Sequence, residues 1–346
     1  MTISHWQKNI KLNTDILIVG AGIAGLSTAY WLNKKNPDLK ITILDENNVF
    51  SGTSGRNAGF LSLGGVSFLE RDLLNNNGKN IIDIKENILL LEKEIINVNK
   101  KGFDKNGTSL LFDDDEMDRY LKLSSELNKI KIKNKIVKDK IINKNVLWYE
   151  DAYSVNPISI RDGIMSLLNH NVEFRLGISF IENKEKEAIT SMGSIFYDKI
   201  IFCTGAFYKS KELKLTPTRA QCMTFKLKSK LKLKGNYSYA RKGMYFRLDN
   251  DFLIIGGSRM LDMDRELTSI DDINVLIQEE LKKFVLTNIS KNVRIDSQWS
   301  GILAYTPEKL PLIKQKSDEY YLVGLSGHGV AFSFKYGKDL SNLILL

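Results

Sequence analysis

The sequence predicts an α/β fold, in which a parallel-stranded domain is interrupted by a β-rich second domain. Three observations predict it. The first is DILIVGAGIAGLSTAYWL, Asp15 to Leu32, which reads as a buried apolar strand (Ile16 to Val19), a glycine turn and a proline-free helix from Ala24 to Leu32. Gly20, Gly22 and Gly25 have the spacing of a Rossmann-like dinucleotide fold. Gly20 permits the tight turn, Gly22 leaves room for a pyrophosphate against the backbone, and Gly25 lets the helix pack on the sheet. The helix N-terminus then offers free N–H groups and a positive dipole end to phosphate.

The second observation is a strand, Ile41 to Leu44, that ends at Asp45. This is roughly twenty residues past the turn, where the ribose-binding acid of such folds sits. A carboxylate there accepts hydrogen bonds from ribose hydroxyls and repels a 2′-phosphate, so NADP is disfavoured. The third is DKIIFCTGAF, Asp198 to Phe207, an apolar run that ends in a Thr-Gly turn. It has the form of a buried parallel strand meeting a ligand at its C-terminal end.

The chain has 346 residues, 43% of them apolar and 10% aromatic, enough for two domains with sizeable cores. No apolar run approaches the length of a membrane span, and the N-terminal MTISHWQKNIKLNTD lacks the apolar core of a secretory signal. The two cysteines, Cys203 and Cys222, have no metal-ligand spacing and form no disulfide framework, so the expectation is a reducing cytoplasm and no metal. The net charge of +9 raises a polyanionic partner. The lysines, however, read as spread along the chain and mixed with Asn and Ile, as in KIKIKNKIVKDKIINKN from Lys129 to Asn145, so a nucleic-acid partner is disfavoured.

Between Phe68 and Val146 the chain is polar and helix-prone. Leu89, Leu90, Leu91, Ile95 and Ile96 fall at helical spacing and mark a buried stripe. Leu110 to Phe112 read as a strand, followed by a helix opening in the acidic turn Asp113 to Glu116. After a turn at Asn156-Pro157 comes an amphipathic helix, then strands at Val172 to Arg175, Ile178 to Ile181 and Ser194 to Phe196. From Pro217 to Ser297 the pattern is β-rich, with a hairpin from Met244 to Arg259 and an amphipathic helix from Ile270 to Phe284. The strand Tyr320 to Leu325, the loop SGHGV and a terminal helix return to the first domain. The domain limits so read are 1–66, 147–216 and 299–346 for the nucleotide-binding domain, and 67–146 and 217–298 for the substrate domain.

Five blocks in order carry a resemblance over nearly the whole chain: VGAGIAG, GTSGRNAG, CTGAF, the Trp-Ser-Gly with its following Thr-Pro and LPLI, and SGHGV. Together they resemble the flavin-dependent D-amino-acid oxidase, glycine oxidase and sarcosine oxidase superfamily. The resemblance implies FAD in a discontinuous Rossmann-like domain, with an antiparallel-sheet α+β substrate domain that roofs the flavin ring. It implies that Gly20, Gly22, Ile23, Ala24 and Gly25 cradle the pyrophosphate. Asp45 would hold the adenosine ribose, and Ser54, Arg56 and Asn57 would line the inner end of the cofactor, with Glu46, Ala58, Gly59 and Ile178 also among the cofactor-binding residues. Thr204, Gly205 and Gly301 would approach the cofactor, and Gly327, His328, Gly329 and Val330 would sit beneath the pyrimidine edge of the ring. There the N–H groups of the terminal helix would stabilise the negative charge of the reduced flavin.

Departures from the family pattern carry their own implications. Arg56 stands where covalent members have histidine, and no cysteine follows Cys222, so the FAD is expected to be non-covalent. Gly301-Ile302-Leu303-Ala304 lacks the arginine that pairs with a substrate carboxylate, so a simple α-amino acid held that way is not expected. Ile254 stands where sarcosine oxidase has an oxygen-activating lysine, which puts oxygen as acceptor in doubt.

The expected activity is that of an amine or amino-acid oxidase or dehydrogenase. It would oxidise a C–N bond of a small amine or N-substituted amino acid to an imine, with oxygen or another electron acceptor. Tyr245, Arg247, Trp299 and His328 are the candidate catalytic residues, with Tyr305 as a further pocket wall. Arg247 could meet an acidic substrate group or pair with Asp249 on the surface. Two alternatives stand beside this: a tRNA-modifying flavin oxidoreductase, suggested by the charge, and a catalytically idle FAD-binding protein.

Overall fold

The computed structural model describes residues 5–8, 11–207 and 213–346. Parts of the N-terminal stretch read above therefore lie outside the described residues. The chain divides into two compact units. The first comprises Met1–Gly55, Ile160–Pro217 and Leu303–Leu346, and the second Arg56–Ser159 and Thr218–Ile302.

The first unit is an eight-stranded sheet. Its centre is parallel: Lys11–Val19 lies between Ile41–Asp45 and Gly193–Phe202, with Val172–Leu176 outside the former and Glu319–Val323 outside the latter. Toward their C-terminal ends the central strands are buried and mainly apolar, over Ile16–Val19, Ile41–Leu44 and Ile200–Phe202, and Leu17, Val19, Leu44, Ile200, Phe202, Tyr321 and Val323 share one cluster. The chain leaves the first strand toward Ile41–Asp45 and later returns on its other side. Strand order thus reverses beside Lys11–Val19, at the kind of switch point where open α/β sheets bind ligands.

Gly193–Phe202 is one ten-residue strand, not the two short ones the sequence suggested. Its first half pairs antiparallel with Glu187–Thr190, a strand the sequence reading missed, and its second half pairs parallel with Glu319–Val323. The polar break at Tyr197-Asp198-Lys199 that separated the two halves in sequence is the point where the strand changes partner.

Two helices stack on this sheet. Ile23–Lys35 follows the glycine turn, and Gly329–Leu345 ends the chain. The Trp31 indole N–H donates to Phe334 O at 2.8 Å, and the Tyr30 and Phe334 rings stack at 5.2 Å. The helices can approach because Gly337 has no side chain: a Cβ there would lie 2.8 Å from the Ser27 carbonyl carbon and 2.9 Å from the Thr28 nitrogen.

The second unit carries an eight-stranded sheet and a three-stranded one. Phe225, Tyr237, Phe246 and Phe284 lie in its core, with the helix Val275–Asn288 packed on the larger sheet. That helix starts five residues later than expected, where the Asn274 side chain caps it by accepting from Ile277 N. The acidic turn behaves as read: Asp113 and Glu116 form a reciprocal capping box ahead of the helix Met117–Lys129. The expected stripe is buried at Leu91, Ile95 and Ile96, but Leu89 is 55% exposed, because the buried face of Lys79–Leu91 is Ile81, Ile84, Ile88 and Leu91, and Leu89 falls off it.

Residues 56–66 and 147–159, read from sequence as part of the nucleotide-binding domain, pair within the second unit. Phe60–Ser62 and Phe103–Lys105 flank Ala152–Val155, and Lys144–Tyr149 joins the large sheet. The second unit also keeps residues 299–302.

Alanine at position 337 would gain about 1 kcal/mol of helix propensity over glycine. The clash with the Ser27–Thr28 backbone outweighs it, since overpacking costs roughly 1–3 kcal/mol and backbone cannot turn aside as a side chain can. Gly337→Ala should therefore lower stability, read as a reduced urea midpoint with an unchanged m-value.

Candidate active site

In the first unit, the C-terminal ends of the parallel strands bring the sequence-predicted cofactor residues to one edge of the sheet. Gly20, at φ +113°, ends the first strand, and a Cβ there would lie 2.5 Å from Cys203 O. A Cβ on Gly25 would run into Gly20 O itself. The turn, the helix and the neighbouring strand end therefore meet backbone on backbone. Asp45 braces the same turn: its Oδ2 accepts from Ala21 N at 2.7 Å, and its Oδ1 from Asn47 N at 2.8 Å. Ile178 N donates to Asp45 O at 3.0 Å, which places Ile178 beside the acid, while Glu46 is exposed one residue on.

Gly22 is the N-cap of the helix and supplies no capping side chain. The Ser54 hydroxyl takes that part, accepting from Ile23 N at 2.9 Å, so the GTSGRNAG block reaches the helix N-terminus through Ser54. Ala24 is buried in the first helical turn.

Beyond Cys203, Thr204 carries a buried Oγ1 with no hydrogen-bond partner, and Gly205 turns at φ +61° with open space where a Cβ would be. A buried hydroxyl left without a partner is costly in a finished interior. Here it lies next to the glycine turn, at an edge with room for a polar ligand. These features fit a dinucleotide: the helix N-terminus suits its pyrophosphate, Asp45 its ribose, and Thr204 offers a further polar contact.

The SGHGV loop belongs to the same unit. Ser326 N donates to Ala304 O at 3.0 Å and Ser326 Oγ to Gly324 O at 2.9 Å, tying the loop to its neighbouring strand. His328 is the N-cap of the terminal helix without capping it by its side chain, and Gly329 and Val330 open the first turn. His328 Nδ1 lies 3.0 Å from Ser326 O. A carbonyl only accepts, so Nδ1 is the donor in this contact. Gly327, at φ +83°, is exposed, and a Cβ there would sit 3.3 Å from Tyr305 Oη.

The second unit holds the remaining candidates in three groups. In the first, Arg56 pairs with Asp271 and donates to Ser300 O at 3.2 Å, Ser300 Oγ donates to Asp271, and the Trp299 indole N–H donates to Arg56 O at 2.8 Å. Gly301 lies against the Arg56 Cβ. In the second, Tyr245 Oη is 3.6 Å from Cys222 Sγ, and its ring meets Phe60 edge-on at 5.5 Å. Burial pushes the Cys222 thiol up to about 11, so it stays protonated at neutral pH.

The third group corrects an expectation. Arg247 neither pairs with Asp249 on the surface nor presents its guanidinium for a substrate. It is 3% exposed, and donates to Ala58 O at 2.6 Å, Val155 O at 2.9 Å and Leu248 O at 3.1 Å. Gly59 lies so close that a Cβ would come within 2.5 Å of Arg247 Nη2. Asn57 Oδ1 accepts from Gly59 N and holds this loop. Burial lowers the Arg247 pKa, but three backbone carbonyls solvate its charge.

Asp271 was not found from sequence: it is one of two adjacent acids in a loop, with no spacing to mark it. Its segment is anchored from below by a buried ion pair. Glu266 accepts from Arg219 Nη2 at 2.8 Å, from Asn274 at 2.9 Å and from Gln221 at 3.3 Å, and Arg219 Nη1 donates to Ile270 O.

The parallel sheet, its reversal beside the glycine turn and the residues gathered at its edge define a dinucleotide-binding oxidoreductase fold. Residues 15–343 match the family model described as DAO, FAD dependent oxidoreductase, and the chain belongs to that family. Among curated proteins it is 24% identical to D-amino acid dehydrogenase of Helicobacter pylori, over 96% of this chain and 95% of that one. It is 65% identical to thiamine thiazole synthase of Uromyces fabae, but over only 34 residues, 10% of each chain. A match to coproporphyrinogen III oxidase of Staphylococcus aureus spans 62% of that protein. Among solved structures, L-proline dehydrogenase from P. horikoshii gives a TM-score of 0.79 at 19% identity, over 97% of this chain and 94% of that one. Glycine oxidase from Bacillus cereus gives 0.79 at 16% identity, over 96% and 95%. The fold, the FAD dependence and the oxidoreductase class follow from the family.

Two outcomes are expected. Gly25→Ala would drive a methyl into Gly20 O, so the protein should purify with little or no flavin absorbance while Gly52→Ala, where a Cβ meets nothing within 4 Å, keeps it. For Asp271, burial acts to raise the carboxyl, but hydrogen bonds from Ser300 and Arg56 and the charges of Arg56 and Arg219 hold it below its ordinary 3.8. A depressed carboxyl stabilises the fold above its unfolded-state value, and that contribution is lost as pH falls through the folded-state value. The Arg56–Asp271 pair is nearly half exposed, so its worth is about 0.2–1 kcal/mol. Asp271→Asn should be less stable by that amount at neutral pH, and the urea midpoints of variant and parent should converge below the ordinary carboxylate value.

Proposed function

We infer that this chain oxidises a small amine or N-substituted amino acid at the carbon next to nitrogen, giving an imine that water hydrolyses. The observation that carries this is the family match over residues 15–343. It is supported by the names of the proteins the chain is similar to over its whole length, a D-amino acid dehydrogenase, an L-proline dehydrogenase and a glycine oxidase. FAD, bound without a covalent link, would supply the two-electron acceptor for the hydride that leaves that carbon.

The roles of the chain's residues follow from their positions. Gly20, Gly22 and Gly25, at the N-terminal end of the helix Ile23–Lys35, would hold the pyrophosphate, and Asp45 the ribose. The first-turn N–H groups after His328 would favour negative charge on the ring's pyrimidine side. Tyr245, Phe60 and Trp299 would offer the substrate aromatic surface. Such surroundings disfavour an ammonium, and so favour the neutral amine whose lone pair assists hydride loss. No side chain need take a proton from carbon.

Arg247 is committed to Ala58, Val155 and Leu248 carbonyls, and Arg56 to Asp271. With no basic residue in Gly301-Ile302-Leu303-Ala304, this supports an amine, or an N-substituted acid held otherwise than by an arginine clamp.

Anaerobic titration of the purified holoprotein with a panel of amines, followed in the visible spectrum, tests the reading. Secondary or primary amines should bleach the flavin band, and admitted air should restore it slowly, as expected where Ile254 replaces a lysine. Bleaching by none of the amines would sink the amine reading.

A further inference from the structure

The sequence suggested that positive charge is scattered. The fold gathers it. Between Lys129 and Lys144 there are seven lysines against one aspartate, a net of +6 out of the chain's +9. The strand Asn134–Asp139 within this stretch is the edge of the second unit's large sheet. Lys131, Lys133, Lys135, Lys138 and Lys140 are all exposed, and among the described residues none pairs with a carboxylate.

A second lysine run joins it. Lys228, Lys230, Lys232 and Lys234 are exposed and likewise without carboxylate partners among the described residues. Leu233 packs in one cluster with Ile142 of the edge hairpin, Val146 and Tyr237. The Tyr237 hydroxyl donates to Asp139 Oδ2 at 2.9 Å and also reaches the Lys234 backbone. Asp139, the one acid in the first run, is thus turned inward to a tyrosine and flanked by Lys138 and Lys140.

We propose that this lysine surface binds an anionic lipid bilayer. Its chemistry separates that partner from RNA. Neither run contains arginine, the side chain suited to bidentate phosphate recognition, or an aromatic residue on which bases could stack. Trp148, on the next strand, lies under the Lys135 ammonium at 5.0 Å. Between the lysines stand two exposed aliphatic residues, Val137 at 41% and Ile141 at 40%. Flexible point charges around a small apolar tip suit headgroups and the shallow interface beneath them. No helix among the described residues is long and apolar enough to cross a membrane, so the association would be peripheral and electrostatic.

Co-sedimentation of the holoprotein with vesicles of equimolar phosphatidylglycerol and phosphatidylcholine tests this. Binding is expected at low ionic strength, should fall steeply with added salt, and should be absent on pure phosphatidylcholine. Lys133→Gln with Lys138→Gln and Lys140→Gln should lose roughly five-fold in partitioning per charge, about 100-fold together. Lys40→Gln with Lys214→Gln and Lys309→Gln removes the same charge from the first unit and should lose little. Flavin absorbance reports that each variant is folded. Equal losses in the two variants would reduce the effect to net charge and overturn the proposal. So would failure to bind the anionic vesicles, tighter binding to an unstructured RNA at the same ionic strength, or aggregation of the edge variant with vesicle binding retained, which would leave the lysines only as guards of an open sheet edge.

Discussion

The nucleotide-binding unit depends on one constraint: three backbones must meet where the central parallel strands end. The Gly20 turn lies on the Cys203–Thr204 peptide, and the helix that starts at Gly22 rests through Gly25 on the Gly20 carbonyl. No side chain fits at either contact. Once the backbones are in place, the helix N-terminus, the Asp45 carboxylate and the Thr204 hydroxyl share one edge, because parallel strands all end on the same side. Asp45 and Ser54 then fix the turn from outside, each by a hydrogen bond to a backbone N–H that side-chain packing could not satisfy.

The second unit solves a different problem. Its loop from Leu267 to Asn274 has no regular structure, yet must hold Asp271 against Arg56 and Ser300. A fully buried carboxylate, Glu266, anchors it by gathering Arg219, Gln221 and Asn274 beneath. Burying two charges is expensive unless nearly every lone pair and proton finds a partner. Here the partners come from both the sheet and the loop, so the cost is met only when the loop lies in this one place. Arg247 acts in a similar way, tying the loop at Ala58 and the end of Ala152–Val155 to its own strand through their carbonyls.

How much of this could be read from the sequence depended on the range of the interaction. The glycine turn, the strand that ends at Asp45 and the acidic turn Asp113 to Glu116 ahead of a helix are local patterns, and the fold has each where the sequence put it. Arg247 was legible as an arginine on a hairpin strand. Its burial was not, since that is set by Ala58 and Val155, each about ninety residues or more away in sequence. Asp271 has the same difficulty, because its partner Arg56 is 215 residues distant. The lysines looked scattered because charge was counted along the chain, whereas the Tyr237–Asp139 contact joins the two runs in space. The Gly193–Phe202 strand was split because its polar middle resembles a turn, although it marks only a change of neighbour.

That change of neighbour bears on how the protein is made. The second half of Gly193–Phe202 is completed by Glu319–Val323, and the helix packed on Ile23–Lys35 is Gly329–Leu345. Every strand and helix of the second unit, from Arg56 to Ile302, therefore leaves the ribosome before the first unit can close. The inserted unit has the chance to fold during synthesis, while the unit that encloses it in sequence waits with an apolar strand edge open. Late closure of this kind leaves a growing chain most exposed to misassembly just before Glu319–Val323 is added. It also makes Gly329–Leu345 the last helix of the first unit to be synthesised.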